Sequence, residues 1–106
     1  MSLPQPSNVL PLAGALDLHS SPGVRNVLAG MIEKKPNRIV VDLSGVTYID
    51  SSGLAVLIDA MQRLEQQSGL LMLAGANENV TTVLESSRLD TYFLIFPHVD
   101  AALAAP

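Results

Sequence analysis

Two periodicities alternate along this chain. Val24, Val27, Leu28, Met31 and Ile32 recur at i, i+3, i+4, i+7 and i+8, the spacing that lines one face of an α-helix. Ser20-Ser21-Pro22 before them supplies a hydroxyl cap candidate and a first-turn proline. Lys34-Lys35 after them complements the helix dipole, and Pro36 stops the helix. Leu54, Leu57, Ile58, Met61 and Leu64 form a second stripe, which predicts a helix from about Ser52 to Gln67 closed by Gly69. Asn77 caps a third helix with Val80, Val83 and Leu84 inside, and Asp100 to Ala105 predicts a short terminal one. Between the stripes lie short apolar runs. Ile39-Val40-Val41 and Leu70 to Ala74 read as buried strands, and Tyr92 to Phe96 as a weaker edge strand.

Before the first helix the pattern is less regular. Val9 to Leu12 is apolar but contains Pro11, which a central strand does not tolerate, so it reads as an edge strand or a strand end. Gly14 marks a turn, and Ala15-Leu16-Asp17 resumes an extended piece, so the two runs predict an opening hairpin. Alternation of buried strands with amphipathic helices implies parallel strands joined by right-handed crossovers. The fold class is therefore α/β, a single domain over residues 9–106 after a Pro/Ser-rich tail, 1–8, that reads as frayed and flexible.

Composition narrows the function. Net charge is −4, and only Lys34-Lys35 are adjacent among six Lys and Arg, so no electrostatic footprint for nucleic acid or anionic membrane is present. No apolar stretch reaches the ~18 residues that span a bilayer, so no membrane insertion is expected. The absence of cysteine excludes disulfides, thiol catalysis and Cys-based zinc sites, and fits a cytoplasmic protein. With 48% hydrophobic and only 15% charged residues, the surface is either polar but uncharged or partly apolar and covered by a partner.

The candidate chemistry concentrates where a strand hands over to a helix, at Asp50-Ser51-Ser52-Gly53. Asp or Ser there satisfies free N–H groups of the first turn, and Gly53 permits close backbone approach. A phosphate on either hydroxyl gains from the helix dipole and the free amides, and adds roughly −1.5 to −2 charges at one spot. Ala55, Val56 and Ala60 read as outward positions that are small or apolar, hence a partner-binding face beside Ser52. Asp17-Leu18-His19 reads as a turn and cap at another strand-to-helix junction. Ser51 or Ser52 with His19 and Asp50 can be drawn as a hydrolytic triad, but no Gly-x-Ser-x-Gly elbow is present. His98 has no metal-ligand companion at useful spacing, and the glycines form no nucleotide fingerprint. Neither metal nor cofactor is expected.

The run from Asp42-Leu43-Ser44 through Val46 and Ile49 to Asp50-Ser51-Ser52-Gly53-Leu54 resembles the signature of STAS domains of the anti-sigma factor antagonist type. Gly14, Leu16, Asp17 and Pro22 resemble that family's second strand and first helix, and Phe96 to Leu103 its closing strand and final helix, so the likeness covers about Val9 to Leu103. The resemblance implies a mixed, mostly parallel sheet of about five strands with helices packed mainly on one face, in a bacterial regulatory protein that is not an enzyme. It implies that the unphosphorylated chain binds an anti-sigma factor that is also a serine kinase, and that phosphorylation releases it. A PP2C-type phosphatase would reset the cycle. By position Ser52 is the acceptor, with Ser51 as fallback. Asp50 orients the loop or contacts the kinase, and Asp17, Asp50, Ser51, Ser52, Gly53, Ala55 and Val56 form the partner-binding set. The alternative is a STAS subunit of a lipid-trafficking ABC transporter docked on its ATPase.

Overall fold

Residues 8–105 are described by the computed structural model. Strands form at the expected runs as β1 (Val9–Leu16), β2 (Arg38–Ile49), which extends well past the expected Ile39–Val41, β3 (Leu70–Ala74) and β4 (Leu94–Phe96), which starts later than the expected Tyr92. The stripes between and after them form helices α1 (Ser21–Glu33), α2 (Ser51–Gln66), α3 (Glu78–Ser86) and α4 (Val99–Ala104). The strands lie in the order β1-β2-β3-β4, all parallel. When sequential neighbours pair in parallel, right-handed crossovers put every connecting helix on the same face. Accordingly α1, α2 and α3 share one core with that face of the sheet, built on Leu28, Ile39, Val41, Leu57, Leu73 and Leu84. The alternate residues of the same strands, Val40, Met72 and Ala74, point the other way and are covered by Ala102 of α4. The Arg38 guanidinium donates to the carbonyl of Ala102 at 2.9 Å and so anchors the end of α4.

The opening hairpin does not form. Val9 to Leu16 is one strand, and Gly14 lies inside it at φ 77°. The irregularity that Pro11 and Gly14 signal is a pair of register shifts against β2, between Pro11 and Ala13 and between Gly14 and Ala15. β2 spends two more residues than β1 between the first and last partners, Val9↔Val40 and Leu16↔Ile49, which is the two-against-one count of a bulge. Gly45 sits opposite the first shift because a Cβ there would stand 2.8 Å from the Leu12 carbonyl oxygen. Among the described residues the sheet therefore has four strands rather than about five, and no antiparallel pair. The tail assigned to 1–8 lies outside the described residues except for Asn8, whose carbonyl accepts from the Val40 amide.

Because all four strands run the same way, all four helices start at the same end of the sheet. That end carries Asp17, Asp50, Asn77 and His98, with at least one polar residue in each strand-to-helix connection.

Candidate functional site

The start of α2 is held by three contacts. Asp50 is extended, at φ −116° and ψ −172°, and its Oδ1 accepts from the Ser52 amide at 2.8 Å and the Gly53 amide at 3.1 Å. Its own amide donates to the Leu16 carbonyl at 3.2 Å, which ties the α2 start to the end of β1. Gly53 is buried against that same carbonyl. A Cβ on it would come within 2.5 Å of Leu16 O and 2.9 Å of Ile49 Cγ1. The glycine thus lets the helix begin directly against the sheet, and the register of Ser51 and Ser52 follows from it. The free amides expected to receive a phosphate are largely taken: two bond to the Asp50 carboxylate, and the Leu54 amide bonds to the Asp50 carbonyl at 3.0 Å.

The neighbouring connection is ordered in the same manner. Asp17 Oδ1 accepts from the His19 amide at 3.0 Å and the Ser20 amide at 3.1 Å. The Ser20 amide foremost, with the amide and charge of His19 and the Ser20 hydroxyl, outweighs a desolvation penalty and holds the Asp17 carboxyl below its ordinary value. Ser20 does not cap α1 as the sequence suggests. Its φ and ψ are helical, and its Oγ instead donates to the Ala15 carbonyl at 2.7 Å and accepts from the Asp17 amide at 2.9 Å. These bonds close the loop that carries Leu18, whose side chain is 69% exposed.

The two junctions meet around an open depression of about 360 Å³. Ser52 and Ala55 of α2 line one side of it, and Leu18, Pro22, Arg25 and Asn26 the other. Ser52 is half-buried and Ser51 exposed. Ala55 faces outward as expected, but Val56 and Ala60 do not: they are 1% and 2% exposed. The reason is a wider buried stripe. Gly53, Val56, Leu57, Ala60, Met61 and Leu64 repeat at i, i+3, i+4, i+7, i+8 and i+11, a pattern that overlaps the set led by Leu54 but is rotated along the helix, because α2 packs on both the sheet and α1. Leu18 is the surface residue that sequence reasoning passed over. Its only signal is a large apolar side chain in a connection whose neighbours are polar.

The side chains of Ser52, His19 and Asp50 are not joined by hydrogen bonds as a triad. Among the described residues Ser52 Oγ has no hydrogen bond to a histidine, Asp50 Oδ1 is committed to backbone amides, and His98 Nδ1 accepts from the Ala101 amide at 3.1 Å as a cap of α4. What the site can do is present a hydroxyl at a capped helix start, beside a depression lined by Leu18, Pro22, Ala55, Asn26 and one charged residue, Arg25. No described helix is long and apolar enough to cross a membrane.

The fold is that of a small α/β domain, and comparison with known proteins makes the class specific. A family model for the STAS domain matches residues 2–102. The anti-sigma-B factor antagonist of Listeria monocytogenes is 31% identical over 78 residues, which are 74% of this chain and 68% of that protein. The unphosphorylated form of the anti-sigma factor antagonist SpoIIAA superposes with a TM-score of 0.77 at 24% identity, over 90% of this chain and 83% of that one. A sulfate transporter family protein from Wolinella succinogenes superposes at 0.81 with 20% identity, over 97% and 87%. At those identities the two structures show the fold. The chain belongs to the STAS domain family, and curated relatives of it carry the name of anti-sigma factor antagonists.

Proposed function

We propose that this chain is an anti-sigma factor antagonist without enzymatic activity, which binds an anti-sigma factor with serine kinase activity and is released when Ser52 is phosphorylated. The observation that carries the reading is the placement of the Ser52 hydroxyl: half-buried, on a helix start fixed by Asp50 and Gly53, at the rim of a depression lined by Leu18, Pro22 and Ala55. A docked partner covers that apolar rim. The kinase transfers the γ-phosphoryl group of ATP to Ser52 Oγ: an O–P bond forms, the bond to ADP breaks, and the hydroxyl proton leaves to the kinase's base. The chain then carries roughly −1.5 to −2 extra charges inside the contact. Burying that charge against apolar side chains costs more than the contact returns unless a cation meets it. A loss of ~3 kcal/mol weakens binding more than a hundredfold, and no rearrangement of the domain is needed. Ser51, exposed and one residue further from the rim, is the fallback acceptor, and a PP2C-type phosphatase resets the cycle in a cytoplasmic setting.

The test is affinity for the cognate anti-sigma factor, measured by calorimetry with and without ATP. Wild type loses binding on incubation with ATP, and Ser52→Ala keeps it. Loss of binding by Ser52→Ala under the same conditions would place the switch elsewhere. Leu18→Glu puts a charge on the rim without touching the core, and lowers affinity by roughly tenfold or more if Leu18 anchors the contact. The second reading is a STAS subunit of an ABC-type lipid-trafficking transporter docked on its ATPase; the shared fold of a sulfate transporter family protein shows that the fold also occurs in transport proteins. Under that reading Ser52→Ala changes neither the partner nor its affinity.

A further inference from the structure

We propose that Arg25 is an internal clamp for the phosphoserine: on phosphorylation its guanidinium leaves Asp59 and closes on the phosphate at position 52. The inference rests on Ser52 being the acceptor and adds the regulation of that site.

Three features of the structure carry it. First, the amides that would ordinarily stabilise a phosphate at this helix start are occupied by Asp50, whose carboxylate also repels the incoming charge. The counter-charge has to come from a side chain, and Arg25 is the cation that lines the same depression as Ser52. Second, its present attachment is weak. Arg25 Nη1 stands 3.4 Å from Asp59 Oδ2, with the two side chains 49% and 43% exposed, the kind of solvent-exposed pair that contributes little. A phosphate dianion offers the guanidinium a stronger, bidentate partner. Asp59 is not left alone by the exchange, because Arg63 lies one turn further along α2 with its Nη1 3.9 Å away. Third, the path is open. Ser52, Ala55 and Asp59 follow one another at i, i+3 and i+7 on α2, about 10 Å from end to end at 1.5 Å per residue. Ala55 between them places only a methyl group in the way.

In the unphosphorylated chain Arg25 is parked on Asp59, and the depression stays clear for a partner. In the phosphorylated chain it neutralises part of the new charge within the domain, which favours the released form and shields the phosphate from solvent and from hydrolysis. The tie between α1 and α2 passes from Arg25–Asp59 to Arg25–phosphoserine, so the helix pair stays linked in both states.

The experiment uses the full chain with phosphoserine inserted at position 52 during translation, so no kinase is required. The second ionisation of the phosphate is followed by phosphorus NMR across pH. An adjacent guanidinium favours the dianion, so the wild-type pKa lies lower than that of Arg25→Ala by about half a unit or more. Asp59→Asn frees the arginine and lowers the pKa further, and that effect disappears in the Arg25→Ala background, as expected for two residues acting through one contact. Superimposable titrations of wild type and Arg25→Ala overturn the clamp. So does an Asp59→Asn shift that is equal with and without Arg25, because it would report a general field effect. Either result leaves Ser52 as acceptor intact. Conversely, finding no phosphate on Ser52 in cells would remove the proposed function without altering this titration.

Discussion

Gly53→Ala is a demanding test of how the site is built. In an isolated helix the change stabilises, since Ala is preferred over Gly by about 1 kcal/mol. Here the new methyl would lie 2.5 Å from the Leu16 carbonyl oxygen, 2.8 Å from Leu16 Cγ and 2.9 Å from Ile49 Cγ1. The carbonyl cannot retreat freely, because it accepts the Asp50 amide and belongs to the strand end on which α2 rests. Either α2 lifts away or the cap breaks. Overpacking costs typically 1–3 kcal/mol, and with three contacts under 3.0 Å, the nearest to a backbone oxygen, about 2–3 kcal/mol applies here, so after the propensity gain the net loss is about 1–2 kcal/mol. With a urea m-value of about 1–2 kcal/mol/M for a domain of this size, the midpoint should fall by roughly 1 M. Gly30→Ala is the internal control: it lies in α1, exposed, with nothing within 4 Å of the added Cβ, and should stabilise by about 0.5–1 kcal/mol. A Gly53→Ala protein as stable as wild type would refute the close approach, and with it the claim that sheet packing sets the register of Ser52.

Two further predictions concern the caps. Asp50→Ala removes the acceptor of two first-turn amides and should cost about 1–2 kcal/mol, seen as a melting temperature lower by about 5–10 °C, with Asp50→Asn milder because it keeps an acceptor. An unchanged melting temperature for Asp50→Ala would contradict the cap geometry. For Asp17 the folded-state pKa is depressed, so its stabilising contribution is present above the unfolded-state value and is lost as pH falls through the folded one. The stability difference between wild type and Asp17→Asn should therefore be steady near neutral pH and shrink below about pH 4. A difference that stays constant into that acid range would show that the Ser20 and His19 amides do not hold the carboxylate.

The elements that could be read along the chain were those whose signals are local. The Asn77 cap is one: its Oδ1 accepts from the Val80 amide at 2.9 Å at the start of α3. The Asp50 cap and the close approach of Gly53 are others. The failures came where a residue's role depends on what lies across from it. Pro11 and Gly14 signal a break in regularity, but only pairing with β2 decides between a hairpin turn and a bulged strand. Leu57, Met61 and Leu64 fit two overlapping helical stripes, and only the position of α2 between the sheet and α1 decides that Val56 is buried with them. Ser20 and Asp17 are both good cap residues, and the loop geometry turns both onto the loop itself: Asp17 accepts the His19 and Ser20 amides, and Ser20 Oγ accepts the Asp17 amide. Arg25 could not be placed beside Ser52 from sequence, since they are brought together by the packing of α1 on α2.

The most direct test of the central claim is the intact mass of the chain recovered from its own cells, wild type beside Ser52→Ala, with retained partners identified in the same pull-down. One phosphate is expected on a fraction of wild type and none on the variant, with an anti-sigma factor that carries a kinase domain retained more strongly by Ser52→Ala. A phosphate that persists on Ser52→Ala, or an unmodified chain held by a transporter ATPase regardless of the substitution, would contradict it.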